Sequence, residues 1–365
     1  MKKNTIAYWI AATQIPDMGP IKLSRALEKH KTPQAVLSSH TSDPEMSRLL
    51  DKADQIQQKV KSLGAQIITI DSPSYPQLLA QIPDAPPVIY VKGTIPNNID
   101  KSIAVVGTRR CTEDAAAKAG EIASCLSRLG RPLVSGLALG IDSAAHRASI
   151  AYGAPTVAVL AHGLDRIHPK SHEQLALRLL DNGGAWISEH PPGTDVLPWM
   201  FASRNRILVG LCQATIMVQS PLKGGSMISA RLALDYNRDT YAVLPDHGYS
   251  QVWEGNKELI LNSAAQKLIS IGDLPFFLGK FYGTKSAPVN SVAAVNSAVV
   301  INSAAAMMPE RCRVVYDEII RCQVLTPRDL ALKLGERTRV IRTRLFVLEL
   351  LRLVRRIPGD RYVLA

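Results

Sequence analysis

A chain of 365 residues with 43 Lys/Arg against 31 Asp/Glu carries a formal charge of +12, a balance suited to contact with a polyanion. Its 46% hydrophobic and 20% charged residues describe a globular chain with room for more than one domain, not a disordered one. The five cysteines, Cys111, Cys125, Cys212, Cys312 and Cys322, include no C-x-x-C pair, which argues against a zinc ribbon and a disulfide framework; no metal and no cofactor is expected.

The first residues lack a long apolar core and a cleavage site, so no secretory signal is expected and the protein is placed in the cytoplasm. Residues 1–72 read as an N-terminal helical domain, with apolar residues at helical spacing through Ile21, Leu23 and Leu27, then Leu49, Leu50, Ala53, Ile56, Val60 and Leu63. Gly19-Pro20 opens a helix. The turn around it resembles a SAM or helix-hairpin-helix element, and a plain helical turn is the alternative.

Residues 73–279 change character. Strand-like runs occur at Val88–Val91, Ser102–Val106, Pro132–Ser135, Thr156–Ala161, Ala185–Glu189, Ala214–Gln219 and Thr240–Leu244. Helix-compatible segments separate most of them, beginning with Thr112 as an N-cap after the second run. This alternation predicts an α/β fold, a doubly wound and mostly parallel sheet with helices on both faces. Ligands of such sheets bind along the edge formed by the strand C-termini.

Residues 280–308, rich in Ala, Ser, Val and Asn, read as a flexible linker. Their most apolar run is broken by Asn296, Ser297, Asn302 and Ser303, so no membrane contact is expected. Residues 309–365 hold 13 Lys/Arg against 7 Asp/Glu. Thr326-Pro327-Arg328-Asp329 starts a helix there with a capping box, Gly335 ends it, and a long helix then leads into two short strands around Pro358-Gly359. Three helices and a hairpin predict a winged-helix domain.

Four loops carry the chemistry. The first is Gly107, Thr108, Arg109 and Arg110. The second runs from Ser135 through Gly136 and Gly140 to His146. The third holds Arg204, Asn205 and Arg206, and the fourth Gly224, Gly225 and Ser226. Glycine lets backbone N–H groups approach an anion, and guanidinium groups pair with phosphate oxygens. Four such loops on one sheet edge would form a groove that suits a polymer backbone better than a single small phosphate. No G-x-G-x-x-G, P-loop or G-x-S-x-G signature occurs. Asp142 and His146, four apart on an expected helix, are read as a structural pair, with acid–base work as the alternative. Glu189 has no evident partner, and Trp199 and Phe201 either stack on bases or pack beneath the groove.

SIAVVGTRR, SGLALGIDSAAH, His168-Pro169-Lys170, RNRILVGL, GGSMISARLAL and GNKELI follow one another in that order. Together they resemble the DNA-processing protein A family, also called DprA or Smf. The resemblance implies an extended Rossmann-like domain that binds single-stranded DNA without catalysis. It implies a recombination mediator that protects incoming strands and promotes loading of the RecA recombinase in natural transformation. It also implies a homodimer formed through the late part of that domain. Carried over by motif, Arg109 would hold a phosphate and Lys170 would add a second positive contact. Arg204 and Arg206 would line the groove, and Gly136, Gly140, Gly224 and Gly225 would admit the backbone. The chain departs from the family pattern at Pro245-Asp246, at His172 and at Ser263-Ala264; the first and third lie near the expected dimer edge. The alternative is an enzyme resembling the LOG-type nucleotide monophosphate phosphoribohydrolases, whose signature glutamate is missing from the Lys223–Ile228 loop.

Overall fold

The structure is a computed structural model describing residues 5–245, 250–268, 271, 274, 310–322, 325–336, 338–350, 354–357 and 361–364. The chain divides into two compact units, Met1–Gly283 and Thr284–Ala365.

A nine-stranded sheet organises the first unit. Its strands are β1 (Ala65–Thr69), β2 (Val88–Gly93), β3 (Ile103–Val106), β4 (Leu133–Ser135), β5 (Thr156–Val159), β6 (Ala185–Ser188), β7 (Ala214–Met217), β8 (Asp239–Val243) and β9 (Gln266–Leu268). They lie in the order β1-β2-β6-β5-β4-β3-β7-β8-β9. β1 and β2 are antiparallel, as are β2 and β6, and every other pair is parallel. From β3 the chain builds outward through β4, β5 and β6, then returns and builds the other way through β7, β8 and β9. The loops after β3 and β7 therefore part at the switch point, where a crevice opens in sheets of this kind.

All four residues of β3, β5 and β7 are buried, which is why these strands read as continuous apolar runs. Alternate residues serve opposite layers. Ala104 and Val106 join one cluster with Leu79, Ile207, Leu208 and Ala230. Ile103 and Val105 join another with Ala119, Ile122, Ile141 and Ala145. Four N-terminal helices, α1 (Thr5–Thr13), α2 (Pro20–His30), α3 (Pro33–His40) and α4 (Asp43–Ser62), close a third cluster over Val88, Tyr90, Ala158 and Trp186; Leu79 of α5 (Gln77–Ala80) belongs to the first cluster, and Leu175 and Leu179 of α8 (Glu173–Asp181) to the third.

Two strands escape the sequence reading. β1 falls inside the segment read as helical, and Gly64 at φ +63° turns the chain from α4 into it. β1 is a half-exposed edge strand and β9 is three residues long, so neither carries a period-2 apolar signal. Thr112 does cap its helix, accepting from Ala115 N at 3.2 Å.

In the second unit the described residues form helices Glu310–Cys322, Pro327–Leu334 and Thr338–Leu350, then the antiparallel hairpin β10 (Val354–Ile357) and β11 (Arg361–Leu364). Leu325 bridges Tyr362 of the hairpin. Val315, Ile319, Leu330, Ile341, Leu345 and Tyr362 share its core. Thr326 and Asp329 form the expected capping box, and Gly335 ends that helix at φ +64°. Residues 280–308, read above as a linker, and Pro358-Gly359 lie outside the described residues. Among the described residues no helix is long and apolar enough to cross a membrane.

The Gly-Asn of the GNKELI run has a structural task. Asn256 is fully buried, and its Nδ2 lies 2.9, 3.0 and 2.8 Å from the carbonyl oxygens of Met217, Val218 and Val243. It thus clamps the ends of β7 and β8. Gly255 donates to Ser220 O at 2.9 Å, and a Cβ there would lie 2.8 Å from that oxygen. Asn256→Ala strands these carbonyls and is expected to cost about 2–3 kcal/mol. All four tryptophans lie in the first unit, so tryptophan fluorescence during urea unfolding reads this loss directly.

Candidate nucleic-acid interface

The loop after β3 is held at three points. Thr108 N donates to Gln219 O at 2.8 Å, Ile141 N donates to Thr108 O at 3.3 Å, and Thr108 Oγ1 accepts from Arg110 N at 3.2 Å. Gln219 is fully buried beyond β7. Its side chain accepts from Thr112 N at 3.0 Å and donates to Thr112 Oγ1 at 3.1 Å, locking the loop to the start of α6 (Glu113–Arg128). Gly140, at φ +76°, lies against this loop: a Cβ there would sit 2.4 Å from Thr108 O and 2.7 Å from Arg109 O. The bracing leaves the Arg109 and Arg110 side chains exposed.

The second loop turns inward. Asp142, in the first turn of α7 (Ile141–Ala151), accepts from Gly136 N at 3.1 Å and Ala138 N at 3.4 Å. The N–H groups expected to meet an anion here are taken by a carboxylate of the protein itself. Above them lies Arg204, 5% exposed, between α9 (Pro198–Ser203) and α10 (Asn205–Gly210). Its guanidinium donates to Gly136 O at 2.8 Å and also to Val159 O. Burial lowers the Arg204 pKa to about 10, with Asp142 opposing the fall, so the group stays cationic at neutral pH. Burial pushes the Asp142 carboxyl up, opposed by Arg204 and the two N–H donors. His146 does not pair with Asp142. Its Nδ1 lies 2.9 Å from Thr156 Oγ1, and burial lowers its pKa to about 3, leaving it neutral.

A cavity of about 450 Å³ opens at the switch point, lined by Gly107–Arg110, Asp142, Phe201, Arg204, Asn205 and the Gly224–Ser226 turn. Gly225 precedes α11 (Ser226–Asp235) without a side-chain cap, and a Cβ there would meet nothing within 4 Å. Met227 N and Ile228 N donate back to Gly224 O and Gly225 O at 3.0 and 3.2 Å, so the start of α11 offers the cavity the Gly225–Ser226 backbone and the positive end of its dipole. On the opposite wall the Arg109 guanidinium lies 5.2 Å from the Phe201 ring centroid, and the His168 ring lies 5.4 Å from the same ring. This stack holds Arg109 at the rim. Lys170 is exposed two residues beyond His168. Its turn is anchored by His172, buried and 2.8 Å through Nδ1 from Leu137 O, which gives the family departure at that position a structural role.

Several sequence expectations change at this level. Ser135 is buried and donates to Val105 O at 2.7 Å, so it braces strands and does not line the cavity. Gly136 makes room for Arg204, whose NH2 would lie 2.5 Å from a Cβ there. Gly107 and Gly224 likewise accommodate Ile141 and Ser220. Arg206 is not a groove residue: it is 8% exposed, bonded to Glu189, 3.7 Å from Asp84 Oδ2 and 2.6 Å from Asp84 O. Glu189 is that partner and not a free acid. Trp199 is 58% exposed with its ring edge-on to His190. Gln219, His168 and His172 were not read as groove supports. A glutamine ending an apolar strand is the one local signal among them, because a buried amide must find partners. Among the described residues no group of three or more His, Cys, Asp or Glu is arranged to hold a metal ion.

The two arginines should separate in a urea unfolding experiment read by tryptophan fluorescence. Arg206→Ala leaves Glu189 and Asp84 without their cation in a largely buried site and is expected to cost about 3 kcal/mol. Arg109→Ala, at an exposed position, is expected to stay within about 0.5 kcal/mol of the parent.

The model of the family described as DNA recombination-mediator protein A matches residues 66–278. The chain is 31% identical to protein Smf of Synechocystis sp. over 307 residues, 75% of each chain. Among solved structures, DNA processing protein A of Streptococcus pneumoniae superposes with a TM-score of 0.64 at 26% identity, covering 76% of this chain and 98% of that one. DNA processing protein A of Helicobacter pylori, solved for its single-stranded DNA binding mode, gives a TM-score of 0.53 at 28% identity, covering 60% of this chain and 97% of that one. The guanidinium-lined cavity thus stands at the switch point of a sheet shared with these relatives, and the chain belongs to the DNA recombination-mediator protein A family, the DprA/Smf proteins.

Proposed function

We propose that the switch-point cavity and its rim grip the backbone of single-stranded DNA, and that the chain mediates recombination by presenting that strand to a RecA-type recombinase. The observation that carries this reading is the convergence of Arg109, Arg110 and the uncapped start of α11 on one open cavity. Arg109 and Arg110 are placed to hold phosphates. Arg204 supplies buried positive charge beneath them, and Asn205, Ser226 and the Gly225 backbone supply hydrogen bonds. Lys170 extends the cationic rim. Phe201 is placed between Arg109 and His168, where its ring orients the guanidinium. The single-stranded DNA binding named for the Helicobacter pylori relative supports the ligand class.

On this reading the protein works in the cytoplasm, shelters incoming strands during natural transformation and catalyses no reaction. It acts as a homodimer joined through the late part of the sheet domain. The three helices and hairpin of the second unit support a winged-helix module in that part of the chain.

Arg109→Ala is expected to weaken binding of a single-stranded oligonucleotide by about 1–3 kcal/mol. Parent affinity should fall steeply with salt, with a log–log slope of about −0.7 per phosphate contacted. Fluorescence anisotropy at several salt concentrations measures both, and the mass of the complex reports whether a dimer binds. Salt-independent binding, or an affinity unchanged in Arg109→Ala, overturns the cavity as the binding site. Release of base from nucleotide monophosphates that is lost in Arg109→Ala would overturn the non-catalytic reading.

A further inference from the structure

Away from the sheet edge, α2 carries a second cationic surface. Leu23 and Ala26 bury its inner face in the helical core. Lys22, Arg25 and Lys29 follow one another at i, i+3 and i+7 on its outer face, all exposed. None of the three is paired with a carboxylate among the described residues. With His30 and His40 they border an open depression of about 640 Å³, whose lining holds one acidic residue, Asp17. The two imidazoles meet edge to face with centroids 5.7 Å apart. Ser39 Oγ lies 3.4 Å from His30 Nε2 and 2.8 Å from His40 Nδ1, and it donates to Val36 O at 2.9 Å. One wall of the depression is therefore an ordered polar rim, and the other is a row of unpaired cations.

We propose that this surface docks the backbone of duplex DNA. From Lys22 to Lys29 the α2 axis advances about 10 Å. A duplex carries one phosphate per about 3.4 Å of axis on each strand, so a stretch of that length holds about three phosphates of each strand to answer the three cations. The depression contains no Phe, Tyr or Trp, and its two rings, His30 and His40, are set edge to face against each other and bridged by Ser39, which leaves an unpaired base no extended stacking platform. The switch-point cavity differs in this respect, because Phe201 stands beside Arg109 there. Cations without an extended stacking platform suit a strand whose bases are already paired. The assignment adds a second nucleic-acid contact and does not depend on what occupies the cavity.

The test uses the full chain, a labelled blunt duplex of about 20 base pairs, and a single strand of equal length. Two triple variants are compared with the parent. One is Lys22→Glu, Arg25→Glu, Lys29→Glu; the other is Lys22→Gln, Arg25→Gln, Lys29→Gln, which removes the charges without reversing them. Arg109→Ala is the control for the cavity. The glutamate variant is expected to lose at least about tenfold in duplex affinity. Its log–log salt slope should flatten by about 2–3, as three lost phosphate contacts require. The glutamine variant should move the same way by less, and single-strand affinity should stay within about twofold in both. Arg109→Ala should show the opposite selectivity. No duplex binding by the parent at low salt overturns the proposal. So does duplex affinity unchanged in both variants, or equal losses for duplex and single strand. Failure of the single-strand reading would instead appear in Arg109→Ala alone and leave the duplex comparison intact.

Discussion

The contact on which the site depends is that of two backbones. The peptide planes of Thr108 and Arg109 pass so close to Gly140 that no Cβ fits between them. Gln219 then ties the same loop to β7 on one side and to Thr112 on the other. Because the loop after β3 has no room to relax, Arg109 and Arg110 leave the sheet edge in one direction. The glycines of the neighbouring loops serve the same end. Gly136, Gly107 and Gly224 are occupied by the protein's own atoms, and Gly225 alone among the five has open space beside it. Close packing of loops at the switch point, more than exposure of backbone to a ligand, is what most of these glycines allow.

Beneath that surface lies an expensive arrangement. A buried guanidinium is costly unless its charge and its donors are answered. The Nη1 of Arg204 meets two carbonyl oxygens and the field of Asp142 faces the group, while the buried Nε has no hydrogen-bond partner. Asp142 in turn is held by two backbone N–H groups. Arg206, two residues on, meets the opposite environment, with Asp84 and Glu189 gathered around it. The two arginines therefore do different work. Arg204 places positive charge under the cavity floor, while Arg206 ties the segment before β2 to the end of β6 through α10.

Charge is distributed over the chain in a way that matches this division. The cations at the cavity rim are few and braced. Those on α2 form a row on a helix face, and no Phe, Tyr or Trp lines the depression beside them. A braced arginine beside a ring can hold one strand in a set geometry, whereas a row of exposed side chains offers a field that any phosphate backbone can meet.

Much of this was legible in the sequence. The α/β alternation follows from local apolar runs, and the capped starts at Thr112 and Thr326 follow from local hydrogen bonding. The placing of Arg109, Arg110 and the glycine-bearing turns after β3, β4 and β7 also came through, because strand ends are local features, whereas Arg204 stands between α9 and α10 and Arg206 within α10. β1 and β9 did not, because a half-exposed edge strand and a three-residue strand carry no period of their own. By itself, then, the sequence determined the layers, the order of the motifs and the positions of the loops. Only the tertiary structure decided which arginine reaches solvent. That outcome rests on Val159, Asp84 and Glu189, all distant in sequence from Arg204 and Arg206. A side chain's burial is set by the partners that folding brings to it, and no local pattern of residues encodes them.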